Sequence, residues 1–91
     1  MEFDSWLGKI ELTPERLYHV LTFHPDVARH RTRFAATLLH PEVIRRSTFD
    51  ERVFIFYKRI NHYFLAIVVK TNARNFILTA YLTSKIQHQP L

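Results

Sequence analysis

The spacing of apolar residues changes period near residue 41. Ahead of it, Leu17, Val20 and Leu21 recur at steps of three and four behind Thr13-Pro14. A hydroxyl N-cap followed by proline at the first helical position marks a helix start, and proline pushes the residue before it out of the α region. With Phe23-His24-Pro25 as the stop, the pattern predicts a helix over 14–23. Val27, His30, Phe34 and Leu38 continue the helical period, which predicts a second helix over about 26–39, ending before His40-Pro41. The segment 6–12 has strand character, with Ile10 and Leu12 alternating with polar residues. Beyond residue 41, β-branched and aromatic residues dominate 43–47, 52–60, 63–71 and 75–82, which read as four strands. The connections at 48–51, 61–62 and 72–74 are short and polar, so neighbouring strands should run antiparallel. The expected fold class is α+β, with two N-terminal helices packed on a four-stranded antiparallel meander and a short N-terminal strand. One domain is expected, with its core over about 6–86 and a tail at 87–91.

Strand parity divides the sheet into two faces. Val53, Ile55, Tyr57 and Arg59 share one face of their strand, with Phe54, Phe56 and Lys58 on the other. Phe64, Ala66, Val68 and Lys70 share a face in the next strand. In the last, Ile77, Thr79 and Tyr81 do so, leaving Phe76, Leu78, Ala80 and Leu82 as an apolar set. One face is therefore core, and the other is expected to gather Lys70, Thr79, Tyr81 and Tyr57 as a polar patch. The competing reading is that Thr and Tyr are simply good strand formers and that Lys70 reaches into water.

Composition narrows the chemistry. The 91 residues include no cysteine and one glycine, Gly8, which removes disulfides, thiolate nucleophiles, cysteine zinc sites and glycine-rich phosphate loops. No uncharged apolar run is long enough for a membrane span, and Met1-Glu2-Phe3-Asp4 lacks the features of a signal peptide, so a soluble cytoplasmic protein with no membrane partner is expected. The net charge of +5 is unevenly placed, because all eight acids lie at or before Glu51 while residues 52–91 hold six bases and no acid. Nine of the 13 bases are Arg, whose guanidinium matches phosphate, so RNA is the expected partner. General colloidal solubility is the alternative explanation of the charge.

The six histidines do not form a ligand pattern. His19 and His24 are five residues apart and cannot share a helix face as a zinc pair; His30 and His40 lack carboxylates at ligand spacing; His62 and His88 read as surface residues. No metal site is expected. His19 lies near the apolar stripe of the first helix, where it is either a partly buried structural ring or a general base.

The order of motifs resembles the barnase, EndoU, colicin and RelE-like (BECR) nucleases, in particular the small toxin and phage-associated members. The resemblance rests on Arg16-Leu17-Tyr18-His19-Val20, Phe23-His24-Pro25-Asp26 and Leu39-His40-Pro41-Glu42-Val43-Ile44-Arg45, followed by the strands from Val53 to Lys58, Tyr63 to Lys70 and Phe76 to Thr83. It implies helices followed by a four-stranded antiparallel sheet, and RNA cleavage without metal or other cofactor by attack of the ribose 2′-hydroxyl on the adjacent phosphate. By motif position it makes His19 the acid or base, with His24 as the alternative. Lys70 and Arg45 would stabilise the phosphate, and Thr79 and Tyr81 would orient it. His24, Arg46, Arg52, Tyr57, Lys58 and Arg59 are expected to bind the substrate. An acidic inhibitor, an antitoxin, is a partner that the resemblance implies. The readings that compete with a ribonuclease are a non-catalytic RNA-binding module, in which Arg45, Arg46, Arg52 and Arg59 contact phosphate, and a homodimer formed through an exposed aromatic edge.

Overall fold

The computed structural model describes residues 1–86, so the expected tail at 87–91 lies outside the described residues. The chain opens with a hairpin, β1 (Glu2–Ser5) and β2 (Gly8–Glu11), where one short strand was expected. Its turn is closed by Ser5, whose hydroxyl donates to the Gly8 carbonyl and accepts from the Leu7 N–H. Gly8 takes a φ of 92°, a conformation open to glycine at little cost. Glu2–Ser5 escaped the sequence reading because Phe3 is its only apolar residue.

Helix α1 (Pro14–Phe23) matches the expected boundaries. The Thr13 hydroxyl accepts from the Arg16 N–H at 3.2 Å, and Pro25 follows the cap residue His24. The expected second helix is instead a 3₁₀ run, Pro25–Arg33, followed by a short α2 (Phe34–Leu39). Only Val27 of the 3₁₀ run is buried, so this Arg-rich segment has too narrow an apolar stripe to hold a full α-helix against the core. A three-residue turn aligns Val27, His30 and Arg33 and carries the chain further per residue to reach α2.

Strands β3 (Val43–Arg46), β4 (Val53–Ile60), β5 (Tyr63–Lys70) and β6 (Asn75–Thr83) form the expected antiparallel meander. The tight β4–β5 connection places Asn61 at a φ of 54°, which asparagine tolerates better than most residues. The complete sheet has six strands in the order β1-β2-β6-β5-β4-β3. It is mixed rather than antiparallel throughout, because β2 pairs in parallel with β6 through Ile10 and Glu11. It curls around α2, which touches β1, β4 and β5.

A bulge corrects the parity of the last strand. Val68 faces Thr79 but Val69 faces Ile77, so Leu78 is an extra residue in β6. Thr79 and Tyr81 therefore share a face with Val68 and Ala66, as expected, whereas Ile77 moves to the helix-packed face beside Val69. Two cores result. The larger joins Ile10, Val20, Val27, Phe34, Leu38, Phe56, Leu65, Ile67 and Ile77 between helices and sheet. The smaller lies on the opposite face, where Ile55, Tyr57 and Ala66 are buried beneath Val43, Phe64, Val68, Tyr81 and Ile86. No helix among the described residues is long and apolar enough to cross a membrane.

Candidate active site

Residues directly opposite one another in a sheet share a face, so the strand register orders the face that carries no helices. Val43, Tyr57, Ala66 and Tyr81 lie in one row across β3, β4, β5 and β6, and Arg45, Ile55, Val68 and Thr79 lie in the next. Tyr57 is 1% exposed. The Tyr81 hydroxyl shares a hydrogen bond with Tyr57, and burial followed by the neighbouring Tyr57 pushes Tyr81 up to about 12. Tyr81 is therefore a protonated donor at neutral pH. The Thr79 hydroxyl oxygen is buried without a hydrogen-bond partner, an arrangement that costs stability unless a ligand completes it.

Helix α1 brings a histidine to this group. It packs against β6, which β2 pairs only at Asn75 and Phe76. His24 caps α1, its N–H bonding the Val20 carbonyl at 2.7 Å, and its ring centroid stands 6.0 Å from that of Tyr81. His24 is half-buried and next to Pro25, so its backbone is held at the helix end.

The structure thus brings His24, Tyr57, Thr79 and Tyr81 together. His19 is turned elsewhere, its ring 4.8 Å from Phe23 one turn further along α1. Arg45 lies on the same face as Thr79 but three strands away, and its Nη1 donates to the Ile44 carbonyl at 3.3 Å. Lys70 follows Val68 on that face at the end of β5, with Nζ 3.4 Å from Asp50 Oδ2. Asp50 also accepts from the Arg52 N–H at 2.9 Å, and that bond, then the Lys70 ammonium, holds its carboxyl below the ordinary value. The Arg52 side chain is exposed and 3.7 Å from the same carboxylate.

Three of the expected substrate-binding cations are placed by local packing. Arg46 lies over the Phe54 ring at 5.2 Å, and Phe54 belongs to the helix-packed core. Lys58 donates to the His40 carbonyl at 2.8 Å, where it satisfies the end of α2. Arg59 remains on the open face, over the Phe64 ring at 4.6 Å. Sequence reasoning missed Asp50 as the partner of Lys70, for which the only signal was an acid in the β3–β4 loop. It also gave no role to Trp6 and Phe49, which are 66% and 97% exposed. A separate cleft on the helix-packed side has Ile60 and Leu82 at its apolar base and Asp26, Arg29, His30 and His62 among the polar residues around it. Burial, then the charges of Arg33 and Arg29, lowers the His30 pKa there. Among the described residues no group of three or more His, Cys, Asp or Glu side chains is placed to hold a metal.

No protein-family model, curated protein or solved structure matches the chain. The site defines an α+β domain with a buried tyrosine bonded to a half-buried one, a histidine against the latter and cations on the same face.

Proposed function

We propose that this chain is a small ribonuclease of the BECR type, toxin-like, that cleaves RNA to a 2′,3′-cyclic phosphate. The observation that carries the reading is the contact of His24 with the hydrogen-bonded pair Tyr57–Tyr81, beside the unpartnered Thr79 hydroxyl. In this reading His24 rather than His19 takes the proton of the ribose 2′-hydroxyl, since His19 rests on Phe23. The 2′-oxygen bonds to phosphorus, the bond from phosphorus to the 5′-oxygen breaks, and the departing oxygen takes a proton from Tyr81. Thr79, whose hydroxyl is covered in the free protein, donates to a phosphate oxygen once the side chains over it part for the substrate. Lys70 exchanges Asp50 for phosphate and stabilises the charge on the pentavalent centre, while Arg45, three strands from Thr79, holds a phosphate further along the RNA. The nucleophile belongs to the RNA itself, so the reading requires no metal or other cofactor. It makes cytoplasmic RNA the substrate, and an acidic inhibitor covering the cationic face is the protein partner it calls for.

The test is incubation with total RNA in excess chelator, comparing the wild type with His24→Ala and His19→Ala and identifying the new ends. The wild type should leave cyclic phosphate ends. Loss of a general acid or base lowers the rate by about a hundredfold or more, which is expected of His24→Ala and not of His19→Ala. Absence of cleavage by wild-type protein freed of any bound inhibitor overturns the proposal in favour of a non-catalytic RNA-binding module.

A further inference from the structure

The open face carries a second unusual feature beside the tyrosine pair. Arg59 and Phe64 face one another across β4 and β5, one step along the sheet from Tyr57 and Ala66. The Arg59 guanidinium carbon stands 4.6 Å from the Phe64 ring centroid, and its Nη1 donates to the Asn61 carbonyl at 3.4 Å. Phe64 meets Tyr57 edge-on with centroids 6.4 Å apart. A continuous line of contacts therefore runs Arg59, Phe64, Tyr57, Tyr81, His24. Arg59 is exposed, so the part of its guanidinium that Phe64 does not cover faces solvent. The charged side chains that β3 to β6 place on this face, Arg45, Arg59 and Lys70, are all cationic, and β4, β5 and β6 contain no acid.

A guanidinium braced on an aromatic ring offers a flat cationic surface that stacks on an unpaired nucleobase while its charge attracts the phosphates beside it. Bases in a duplex are stacked on one another and cannot use it. We infer that Arg59, braced by Phe64, is a base-stacking subsite that selects unpaired RNA and sets the nucleotide next to the one cleaved at Tyr81 and His24. This inference rests on the ribonuclease reading for the position of the cleaved bond, but the stacking itself does not depend on cleavage.

The experiment measures fluorescence anisotropy of a labelled single-stranded RNA whose 2′-hydroxyls are all methylated, which removes the nucleophile and so isolates binding. Arg59→Lys keeps the charge and loses the plane. Stacking on one base, at the magnitude typical of such contacts, makes binding by Arg59→Lys and Arg59→Ala about tenfold weaker than wild type. The same strand without bases should bind wild type and Arg59→Lys equally, and wild type should bind the single strand more tightly than its duplex. Arg59 is exposed, and circular dichroism will show that both variants fold. Full affinity in Arg59→Lys with loss only in Arg59→Ala would overturn the inference and reduce Arg59 to a phosphate contact. Equal binding of single strand and duplex would overturn it too. Cleavage of unmethylated RNA is scored separately: stacking without cleavage refutes the ribonuclease reading alone, and cleavage with Arg59→Lys unchanged in affinity refutes the subsite alone.

Discussion

Thr79 offers a quantitative check on whether the open face is arranged for a ligand. Its hydroxyl oxygen is buried with no partner, on a strand where Val68 lies directly opposite. Water hydrates that hydroxyl in the unfolded chain, so burying it unpaired costs about 1–3 kcal/mol. Valine keeps the branched shape and the strand preference and replaces the hydroxyl with a methyl group. Thr79→Val should therefore stabilise the fold, and for a domain of this size each kcal/mol shifts Tm by about 4–8 °C. The expected rise is at least ~4 °C at the lower end of that cost. Thermal unfolding followed by circular dichroism at neutral pH reads it. The same variant should lose cleavage, while Thr79→Ser, which keeps the hydroxyl but not the methyl, should retain cleavage and unfold at a lower temperature. A lower Tm for Thr79→Val would refute the reasoning, since it would show that the hydroxyl has a stabilising partner in the native state.

Two predictions concern pH. Tyr81 is raised from 10.0 to about 12, chiefly by burial, so the unfolded chain ionises first. Its stabilising contribution is complete below pH 10 and disappears as pH rises through about 12, and Tyr81→Phe should flatten the alkaline limb of a urea-midpoint profile over that interval. An alkaline limb of the same steepness in the variant would show that Tyr81 is not its source. Asp50 is shifted the other way, below 3.8, first by the Arg52 N–H and then by Lys70, so its contribution is present above that value and is lost as pH falls through the folded-state pKa. Asp50→Asn should lose part of the acid dependence of stability and should also release Lys70, tightening binding of the methylated RNA. Weaker binding in that variant would show that Asp50 positions Lys70 instead of competing for it.

The elements most legible in the sequence were those with the strongest local signals. Thr13-Pro14 and Phe23-His24-Pro25 bracketed α1 because capping and proline geometry act within a few residues. The four strands of the meander announced themselves through β-branched and aromatic runs. The β1–β2 hairpin did not, since its place depends on β2 finding the start of β6 from the far end of the chain, a pairing with no local trace. The bulge at Leu78 was equally silent, because an alternating pattern does not record a skipped residue when both faces are apolar. The parity of Thr79, Tyr81 and Tyr57 was readable, which put these three hydroxyls on one face. Which histidine of α1 stands against Tyr81 was not, because it depends on where α1 ends against β6, and that is set by tertiary packing.

The two faces of the sheet divide the work of the molecule in a way that bears on every one of these tests. Fully buried Val20, Phe34, Leu38, Phe56, Leu65, Ile67 and Ile77 concentrate stability on the helix-packed side, where truncations leave cavities. Among the described residues the open face is closed by side chains, with Tyr57 and Ala66 beneath Phe64, Tyr81 and Ile86. Tyr57, so enclosed, cannot change rotamer freely, and its hydrogen bond fixes the orientation of the half-buried Tyr81 hydroxyl. Thr79 is enclosed in the same face with its hydroxyl unpartnered, a cost that Thr79→Val removes and Thr79→Ser keeps, so the two variants together separate the stability of this face from any use of the hydroxyl.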